Sequence, residues 1–312
     1  MLQTGKLSID MRVLVTGVAG QLGYDITNEL NKRGIEAIGT DIRKEDELIN
    51  KARWIQYIQL DITDKARVEK IVKDVNPDII IHCAAWTNVD GAEDEKNKPL
   101  VKKINVDGTD NLVKVAKELD CKFLYISTDY VFDGEGTRPW QPDDKNYAPQ
   151  NFYGETKLQG ELVVFSQLDK YFIVRIAWVF GLNGKNFIKT MLSLADKGYS
   201  ELKVVNDQIG TPTYTYDLAR LLVDMIQTDK YGYYHATNEG GYISWADFAD
   251  EIFRQAGKNV IVHRVSTIEY GISIAKRPFN SRLDKSKLVN NGFEPLPDWN
   301  DALKRYLKEI KG

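Results

Sequence analysis

Short apolar runs in this chain alternate with longer segments in which apolar residues recur at three- and four-residue steps. Residues 11–16 and 123–126 are runs of the first kind, which are typical of buried strands. Residues 24–33 and 151–169 are segments of the second kind, which are typical of amphipathic helices. Strands that alternate with helices in this way predict a mostly parallel sheet with helices on both faces.

The same pattern continues over the rest of the chain. Strands are predicted at residues 37–40, 54–60, 78–82, 172–180, 203–205, 231–237 and 260–265. Helices are predicted at residues 65–73, 102–119, 186–195, 216–227 and 299–310, with Ser244 as the N-cap of another. We therefore expect an α/β fold, a Rossmann-type doubly wound parallel sheet with a smaller, discontinuous C-terminal α/β lobe.

A glycine-rich turn follows the first predicted strand. Residues 17–23 read GVAGQLG, which places Gly17, Gly20 and Gly23 between a strand and a helix. Backbone N–H groups and the positive end of the helix dipole can bind a pyrophosphate at such a turn. The sequence therefore predicts a dinucleotide-binding βαβ unit.

Two residues near the tip of the second strand bear on which dinucleotide is bound. The carboxylate of Asp41 can accept hydrogen bonds from the adenosine ribose, which favours NAD. The guanidinium of Arg43 can neutralise the additional phosphate of NADP. The choice between NAD and NADP stays open at this point.

Two later strand ends supply further candidate contacts to the cofactor. Asp61 and Ile62 can flank the adenine, although Asp61 precedes a predicted helix and a role in its N-terminal cap is an equal alternative. Ala84 and Ala85 are small enough for the backbone to approach the cofactor closely. Thr87 and Val89 follow them, and we expect both to face the nicotinamide.

Thr128, Tyr153 and Lys157 form the candidate catalytic set. Thr128 ends a predicted strand, at the edge where open α/β sheets bind ligands. Tyr153 and Lys157 are one helical turn apart and share a face of the predicted helix. Because a nearby ammonium group lowers the pKa of a phenol, the pair predicts general acid–base chemistry on a carbonyl or alcohol, with Thr128 hydrogen-bonded to the same oxygen.

The same Tyr-x-x-x-Lys spacing recurs at Tyr199 and Lys203. That copy follows Lys197-Gly198, a helix-stop signal, and precedes a predicted strand, so its two side chains need not share a face. We therefore assign the chemistry to the first copy.

Composition narrows the class of protein. A length of 312 residues with 43% hydrophobic content is sufficient for a full core. A net charge of -3 argues against a generalised nucleic-acid or anionic-membrane surface. No apolar run approaches the ~20 residues of a membrane span, and the first ten residues lack the apolar core of a signal peptide. We expect a cytoplasmic protein that binds neither nucleic acid nor membrane.

Eight motifs span nearly the whole chain after Asp10. They are GVAGQLG (17–23), CAAWTNVDGAE (83–93), NVDGTDNL (105–112), STDYVFDG (127–134), YGETK (153–157), RIAWVFG (175–181), DQIGTPT (207–213) and RPFNSRLD (277–284). With these motifs the sequence resembles the extended short-chain dehydrogenase/reductase superfamily and, within it, the dTDP-4-dehydrorhamnose reductase family. The glycine loop and the Tyr/Lys pair mark the superfamily, whereas STDYVFDG, DQIGTPT and RPFNSRL are much narrower.

The resemblance implies an activity. A member of this family would use NADH or NADPH to reduce the 4-keto group of a dTDP-linked 6-deoxyhexose, dTDP-4-dehydro-L-rhamnose, to dTDP-L-rhamnose. Tyr153 would protonate the sugar oxygen as hydride arrives, with Thr128 beside it, and Lys157 would also hold the nicotinamide ribose.

The residues and the resemblance together define two expected sets. The cofactor-binding set is Gly17, Ala19, Gly20, Gln21, Leu22, Gly23, Asp41, Arg43, Asp61, Ile62, Ala84, Ala85, Thr87, Tyr153 and Lys157. The substrate-binding set is Thr87, Val89, Thr128, Asp129, Tyr130, Tyr153, Trp178, Arg277 and Asn280. Two of these residues have an alternative to substrate binding. Trp178 could be an ordinary core residue, and Arg277 could be a solvated charge on the surface.

The expected domain organisation follows the same division. Residues 1–10 form an N-terminal extension, residues 11–175 and 207–238 a dinucleotide-binding domain, and residues 176–206 and 239–312 a substrate-binding lobe. Some members of the family are described as magnesium-dependent dimers that use acidic residues, the first just after the glycine loop, where this chain has Asp25. No equally clear acidic pair follows, so Mg²⁺ is a poorly supported cofactor, and we expect a monomer or a homodimer.

Two other functions compete with the reductase. A nucleotide-sugar epimerase or dehydratase can use the same scaffold, but dehydratases of this superfamily place an Asp-Glu pair after the active-site threonine, whereas here Tyr130 follows Asp129. A non-catalytic regulatory subunit similar to the methionine adenosyltransferase β subunit is the second alternative, and the N-terminal extension is compatible with it.

Overall fold

The computed structural model describes residues 11–271 and 273–311, so the expected N-terminal extension at residues 1–10 lies outside the described residues. The strands in chain order are β1 (Arg12–Thr16), β2 (Glu36–Asp41), β3 (Gln56–Gln59), β4 (Ile79–His82), β5 (Lys122–Thr128), β6 (Tyr171–Ile176), β7 (Val179–Phe180), β8 (Glu201–Val205), β9 (Ile209–Gly210), β10 (Thr213–Tyr214), β11 (Gly232–His235), β12 (Ile243–Ser244) and β13 (Ile261–Val265). The α-helices are α1 (Gln21–Lys32), α2 (Lys65–Val75), α3 (Val89–Ala92), α4 (Lys98–Lys102), α5 (Gly108–Glu118), α6 (Phe152–Gln167), α7 (Phe187–Asp196), α8 (Thr215–Ile226), α9 (Trp245–Ala256), α10 (Thr267–Tyr270), α11 (Ser286–Asn290) and α12 (Trp299–Glu309).

Seven strands form the central sheet in the order β11-β6-β5-β4-β1-β2-β3. Every neighbouring pair in this sheet is parallel. The strand order reverses between β1 and β4, where Val13 pairs with Ile79, and the carboxyl ends of strands at such a reversal leave a crevice for a ligand. The predicted doubly wound parallel sheet is confirmed.

Helices cover both faces of this sheet, because its strands are apolar on both sides. One core lies between the sheet and helices α1 and α8, with Ile26 and Leu222 at its centre. The other lies between the sheet and helices α2, α5 and α6, with Val72 and Val113 at its centre. The strands and the helix faces therefore bury each other in a three-layer arrangement.

A separate core holds the C-terminal part of the chain together. It joins α7, α9 and α12 through residues such as Ile188, Phe248 and Leu303. Three two-stranded sheets accompany it, with β8 parallel to β13, β7 parallel to β10, and β9 antiparallel to β12. Among the helices of the described ranges, none combines the length and the apolar character that crossing a bilayer requires.

The predicted bounds of one strand and one helix were wrong. The strand predicted at residues 172–180 is broken, because β6 stays in the central sheet while β7 leaves it to pair with β10. Trp178 lies at the break with φ 51°, in the left-handed region that β-strands do not use. The helix predicted at residues 102–119 contains a π-helical segment, Lys103–Asp107, before α5 begins.

Gly23 allows α1 to lie against the turn that precedes it. A Cβ on Gly23 would stand 2.3 Å from the carbonyl oxygen of Gly17, and backbone atoms cannot yield as a flexible side chain does. We expect Gly23→Ala to lower the free energy of unfolding by about 2 kcal/mol and to weaken dinucleotide binding. Urea unfolding and a fluorescence titration with NADPH measure the two effects.

Gly20→Ala is the matched control for Gly23. Its Cβ would lie 3.2 Å from the same Gly17 oxygen, and Gly20 has φ −79°, which any residue adopts. The free energy of unfolding of this variant should change far less than that of Gly23→Ala. Equal destabilisation by the two substitutions would contradict the steric explanation.

Candidate active site

A single cavity of about 830 Å³ runs along the carboxyl ends of the central strands. Its walls are the glycine loop after β1, the tip of β2, the loops after β4 and β5, the first turns of α6, and the segment around Trp178. All residues of the two expected sets line this cavity except Asn280. The fold therefore brings the predicted cofactor, substrate and catalytic residues into one continuous space.

The glycine loop has the shape of an anion-binding turn. Gly17 has φ 73°, and a Cβ there would meet the backbone nitrogen of Ala84 at 2.7 Å. Gly20 caps α1 without any side-chain hydrogen bond, so no side chain occupies the amides of the first turn. The buried hydroxyl of Ser127, on the cavity wall, has no hydrogen-bond partner within the described residues. These features fit a bound dinucleotide.

Asp41 and Arg43 lie together at the tip of β2. The Asp41 carboxylate accepts hydrogen bonds from the backbone N–H of Ala19 at 3.0 Å and of Arg43 at 3.2 Å. The Arg43 side chain is exposed and lines the same end of the cavity. This end therefore presents both a carboxylate and a guanidinium, as the sequence predicted.

Asp61 lies in the cavity wall and does not form the N-cap of α2. Its carboxylate accepts a hydrogen bond from the backbone N–H of Thr63 at 2.9 Å. The N-cap of α2 is Asp64, which accepts from the backbone N–H of Arg67 at 3.0 Å. The geometry therefore favours contact with the cofactor over a helix N-cap as the role of Asp61.

Helix α6 carries Tyr153 and Lys157 on one face, as predicted. It begins after Asn151, whose side chain accepts a hydrogen bond from the backbone N–H of Gly154 at 2.8 Å. Gly154 permits a close approach to the loop after β5, because a Cβ there would lie 2.4 Å from the Tyr130 carbonyl oxygen. The cap and this contact fix the position of the first helical turn.

Lys157 is buried, one helical turn after Tyr153 on α6. Its Nζ donates a hydrogen bond to the carbonyl of Ile126 at 2.7 Å and lies 4.1 Å from the centre of the Tyr125 ring. Burial lowers the pKa of Lys157 to about 7. The ammonium is thus held by β5 at the edge of the cavity.

The predicted effect of Lys157 on Tyr153 was wrong. Burial raises the pKa of Tyr153, the charge of Asp129 raises it further, and a hydrogen bond with Thr128 opposes them. The pKa of Tyr153 thus lies above its usual value and not below it, and the Lys157 ammonium donates its hydrogen bond to the carbonyl of Ile126. The phenol of Tyr153 therefore keeps its proton at neutral pH.

The hydroxyl of Thr128 is hydrogen-bonded to the buried carboxyl group of Asp129. It lies 3.0 Å from Oδ1 of Asp129, and it also accepts a hydrogen bond from the backbone N–H of Tyr130 at 3.3 Å. Oδ2 of Asp129 accepts a hydrogen bond from the hydroxyl of Ser281 at 2.5 Å. Burial raises the pKa of Asp129 to about 6, and the bonds from Ser281 and Thr128 oppose that rise.

Aromatic side chains form one wall of the cavity. Trp178 stacks on Trp245 with ring centres 3.7 Å apart, and Phe187 lies 4.7 Å from Trp245. All three line the cavity. Trp178 thus faces the predicted sugar site, whereas Trp245 and Phe187 were missed because each begins a helix and looked like an ordinary core position.

Arg277 lies in the cavity wall, paired with a residue that the sequence analysis missed. Its guanidinium binds Asp90, with Nη2 2.8 Å from Oδ2. Burial lowers the pKa of Arg277, but Asp90 and Tyr130 together raise it by more, so the net shift is upward. Asp90 also accepts a hydrogen bond from the backbone N–H of Ala275 at 3.0 Å. The pair ties the loop before residue 277 to the start of α3.

Asn280 does not face the cavity. Its side-chain amide donates hydrogen bonds to the carbonyls of Glu135 and Arg138 at 3.2 and 2.9 Å, and its oxygen accepts from Arg282. Asn280 is buried between two loops. Its hydrogen-bonding groups hold those loops together, so the structure does not bring this residue to the expected substrate site.

Asp25 lies behind the glycine loop in a buried polar group. Its carboxyl oxygen accepts a hydrogen bond from Thr215 at 2.5 Å. Over residues 11–271 and 273–311, no three His, Cys, Asp or Glu side chains are grouped so that they could hold a metal ion. One carboxyl group hydrogen-bonded to a threonine does not fit a magnesium site, and we derive no chemical step through a metal.

Asp25→Asn is expected to stabilise the protein at alkaline pH. Burial raises the pKa of Asp25 from 3.8 to about 7, helped by Glu309 and Asp217 and opposed by Thr215. Because the folded protein holds this proton more tightly than the unfolded chain, the free energy of unfolding falls as the pH rises between those two values. Asparagine keeps an acceptor for Thr215 without the buried charge.

Urea unfolding at two pH values tests this expectation. We expect Asp25→Asn to gain on the order of 3 kcal/mol at about pH 8 and several times less at about pH 4.5. An equal gain at both pH values would contradict a buried, titrating carboxyl group at position 25.

Comparisons with known proteins agree with this geometry. The chain matches the protein family described as RmlD substrate binding domain over residues 11–311. It is 36% identical over 298 residues to the spore coat polysaccharide biosynthesis protein SpsK of Bacillus subtilis, with 96% of this chain and 97% of that protein covered.

Two solved structures are similar over almost their whole length. The crystal structure of a dTDP-4-dehydrorhamnose reductase from Clostridium acetobutylicum is 40% identical, with a TM-score of 0.87 and with 97% of this chain and 100% of that chain covered. That of a dTDP-4-dehydrorhamnose reductase from Bacillus anthracis in complex with NADP is 40% identical, with a TM-score of 0.86 and coverage of 96% and 99%. By these matches in sequence and in structure, the chain belongs to the dTDP-4-dehydrorhamnose reductase family.

Proposed function

We propose that this protein reduces the 4-keto group of dTDP-4-dehydro-L-rhamnose to give dTDP-L-rhamnose, with NADH or NADPH as the reductant. The observation that carries the proposal is the single cavity in which the uncapped start of α1 and the Thr128, Tyr153 and Lys157 side chains meet. Membership of the dTDP-4-dehydrorhamnose reductase family supports the same sugar and the same reaction.

The cofactor is assigned to the half of the cavity formed by the glycine loop and the strand tips. Gly17 and the first-turn amides of α1 hold the pyrophosphate, and Asp41 takes the adenosine ribose. Arg43 is placed to meet the additional phosphate of NADP, which agrees with the complex solved for the Bacillus anthracis relative. When bound, the nicotinamide supplies the hydride for the reduction.

Tyr153 is assigned the role of proton donor. Reduction of a ketone leaves a negative charge on its oxygen, and a protonated phenol in hydrogen-bonding reach supplies the proton that this oxygen needs. The phenol of Tyr153 is protonated at neutral pH, since burial raises its pKa, so the proton is present when the sugar oxygen takes it. Lys157, held by the Ile126 carbonyl in the cavity wall, is assigned to the nicotinamide ribose.

The sugar is assigned to the wall that carries Thr87, Val89, Tyr130 and Trp178. A deoxyhexose has an apolar methyl group, which an indole face can cover. The diphosphate requires cationic groups, and Arg277 supplies one from the neighbouring wall. With this assignment, residues 11–175 and 207–238 form the dinucleotide-binding domain, and residues 176–206 and 239–312 form the substrate-binding lobe.

Oxidation of the reduced nucleotide tests the proposal. The purified protein is mixed with dTDP-4-dehydro-L-rhamnose and either NADH or NADPH, and the absorbance at 340 nm is followed. We expect a fall that depends on the sugar with at least one nucleotide. No oxidation of either nucleotide would overturn the proposal and favour a regulatory role.

The dehydratase alternative has less support from the site. Elimination of water needs a proton acceptor next to the sugar, and the residue after Asp129 is Tyr130, a phenol whose pKa burial raises. A protonated phenol is a poor base. Formation of an unsaturated or epimerised sugar without net oxidation of the nucleotide would be the result that restores this alternative.

A further inference from the structure

The side chain of Asn151 joins two parts of the cavity wall that come from distant segments of the chain. Its oxygen accepts a hydrogen bond from the backbone N–H of Gly154 at 2.8 Å and thereby caps α6, the helix that carries Tyr153. Its amide nitrogen donates a hydrogen bond to the carbonyl of Lys276 at 2.8 Å. Asn151 is 7% exposed, so water competes little for either bond. The start of α6 is thus tied directly to the residue before Arg277.

Asp90, on α3, holds the same segment. Its carboxylate accepts a hydrogen bond from the backbone N–H of Ala275 at 3.0 Å and contacts both terminal nitrogens of Arg277, at 3.1 and 2.8 Å. A carboxylate that binds a guanidinium at two points fixes the orientation of that group. At the end of α3, the carboxylate of Glu93 accepts a hydrogen bond from the backbone N–H of Phe152 at 2.7 Å. The segment before Arg277, α3 and the start of α6 therefore form one hydrogen-bonded joint.

Two groups with roles in the proposed reduction flank this joint. Tyr153, the assigned proton donor, lies just after Asn151, and Arg277, the assigned diphosphate contact, lies just after Lys276; both line the cavity. A sugar that is linked to a diphosphate reaches from one to the other. Diphosphate held by Arg277 can place the keto group at Tyr153 only if the two side chains keep a fixed separation. Binding energy from the non-reacting end of a substrate raises the rate when it is converted into orientation at the reacting end.

We propose that Asn151 is a positioning residue that couples diphosphate binding at Arg277 to the placement of the ketone at Tyr153. Asn151 does not line the cavity, so it acts through the two segments that its side chain joins. The inference rests on the proposed reduction of a nucleotide-linked ketosugar. It implies that the diphosphate of this substrate raises the rate of reduction as well as the affinity.

Asn151→Asp removes the connection and keeps the helix cap. Asparagine, aspartate and serine are similarly good N-caps, so the hydrogen bond from Gly154 is retained, whereas a carboxylate oxygen cannot donate to the Lys276 carbonyl and repels it. Asn151→Ser is a second, uncharged variant that also keeps the cap and lacks the amide nitrogen. Asp64→Ser is the matched control, because it changes the N-cap of α2, which does not line the cavity.

Titration calorimetry with dTDP tests the anchor without turnover. We expect Arg277→Gln to weaken dTDP binding by about 10-fold or more, because it removes charged hydrogen bonds to the diphosphate. Both Asn151 variants should bind dTDP nearly as tightly as the unchanged protein, which also shows that they are folded. Unaltered dTDP affinity in Arg277→Gln would overturn the proposal, and so would a loss in Asn151→Ser as large as that in Arg277→Gln.

A double-mutant cycle in the ketosugar reduction, followed at 340 nm, tests the coupling. We expect each Asn151 variant to lower kcat by about 10-fold with little change in KM, because the sugar still binds but its keto group is no longer held at Tyr153. In the Arg277→Gln background the same substitutions should lower kcat by less than about twofold, because the anchor that Asn151 serves is already absent. Asp64→Ser should keep the kcat and KM of the unchanged protein.

The outcomes of the cycle separate this role from a purely structural one. An equal fold loss of kcat in both backgrounds would mean that Asn151 acts on α6 alone, and it would overturn the coupling while leaving the reduction intact. An unchanged kcat in both Asn151 variants would overturn the coupling as well. Absence of turnover by the unchanged protein would overturn the proposed function, and the coupling with it.

Discussion

Tyr153→Phe is expected to lower kcat for the ketosugar reduction by about 10³-fold. The substitution removes the phenol oxygen that supplies the proton and leaves the ring in place, including its edge contact with Tyr130 at 5.7 Å between ring centres. The binding constant for NADPH should change little, because the glycine loop and the tip of β2 are untouched. Steady-state kinetics at 340 nm and a fluorescence titration with NADPH measure the two quantities.

Tyr199→Phe is the matched control for this substitution. It removes the same hydroxyl from the second Tyr-x-x-x-Lys copy in the chain, where Tyr199 is 53% exposed and outside the cavity. Its kcat should equal that of the unchanged protein. A kcat for Tyr153→Phe within about threefold of the unchanged protein would contradict the assignment of Tyr153 as the proton donor.

Glu161→Gln is expected to lower the free energy of unfolding by about 3–5 kcal/mol. Glu161 and Arg175 are both fully buried, and the guanidinium meets the carboxylate with two hydrogen bonds of 2.8 Å. Glutamine keeps the shape but leaves the guanidinium charge inside the protein without a counter-charge. Because Glu161 is on α6 and Arg175 on β6, the loss also loosens the helix that carries Tyr153 against the central sheet.

Urea unfolding measures this loss, and Glu155→Gln is the control. Glu155 is on the exposed side of the same helix, where its carboxylate accepts a hydrogen bond from Gln159 at 3.1 Å. The same chemical change there should alter the free energy of unfolding by less than about 0.5 kcal/mol. If the free energy of unfolding of Glu161→Gln changed as little as that of Glu155→Gln, the prediction that an unpaired, buried Arg175 is costly would be contradicted.

Much of the fold and the cavity could be predicted because local patterns encode them. The glycine spacing at residues 17–23 places a turn between a strand and a helix, and Thr128 ends an apolar run, so both positions followed from the sequence without long-range information. Parallel strands place their carboxyl ends at one edge, which brings these distant segments together. The co-location of the expected residues is a consequence of that topology.

The parts that local patterns missed depend on partners far away in the chain. The strand predicted at residues 172–180 breaks because β7 pairs with β10, a segment more than thirty residues later. Ser281 reaches Asp129 from 152 positions away, and Asp90 meets Arg277 across 187. The pKa of Tyr153 was misjudged because the spacing of Tyr153 and Lys157 gives no information on the burial of the phenol or on the charge of Asp129, which together raise that pKa.

Transfer of deuterium to the sugar tests the central claim most directly. The protein is supplied with dTDP-4-dehydro-L-rhamnose and NADPH that carries the transferable deuterium on C4 of the nicotinamide, and the product is examined by NMR. The proposed reduction predicts dTDP-L-rhamnose with deuterium bound to C4 of the hexose. A product with ordinary hydrogen at C4, or recovery of the ketosugar unchanged, would contradict it.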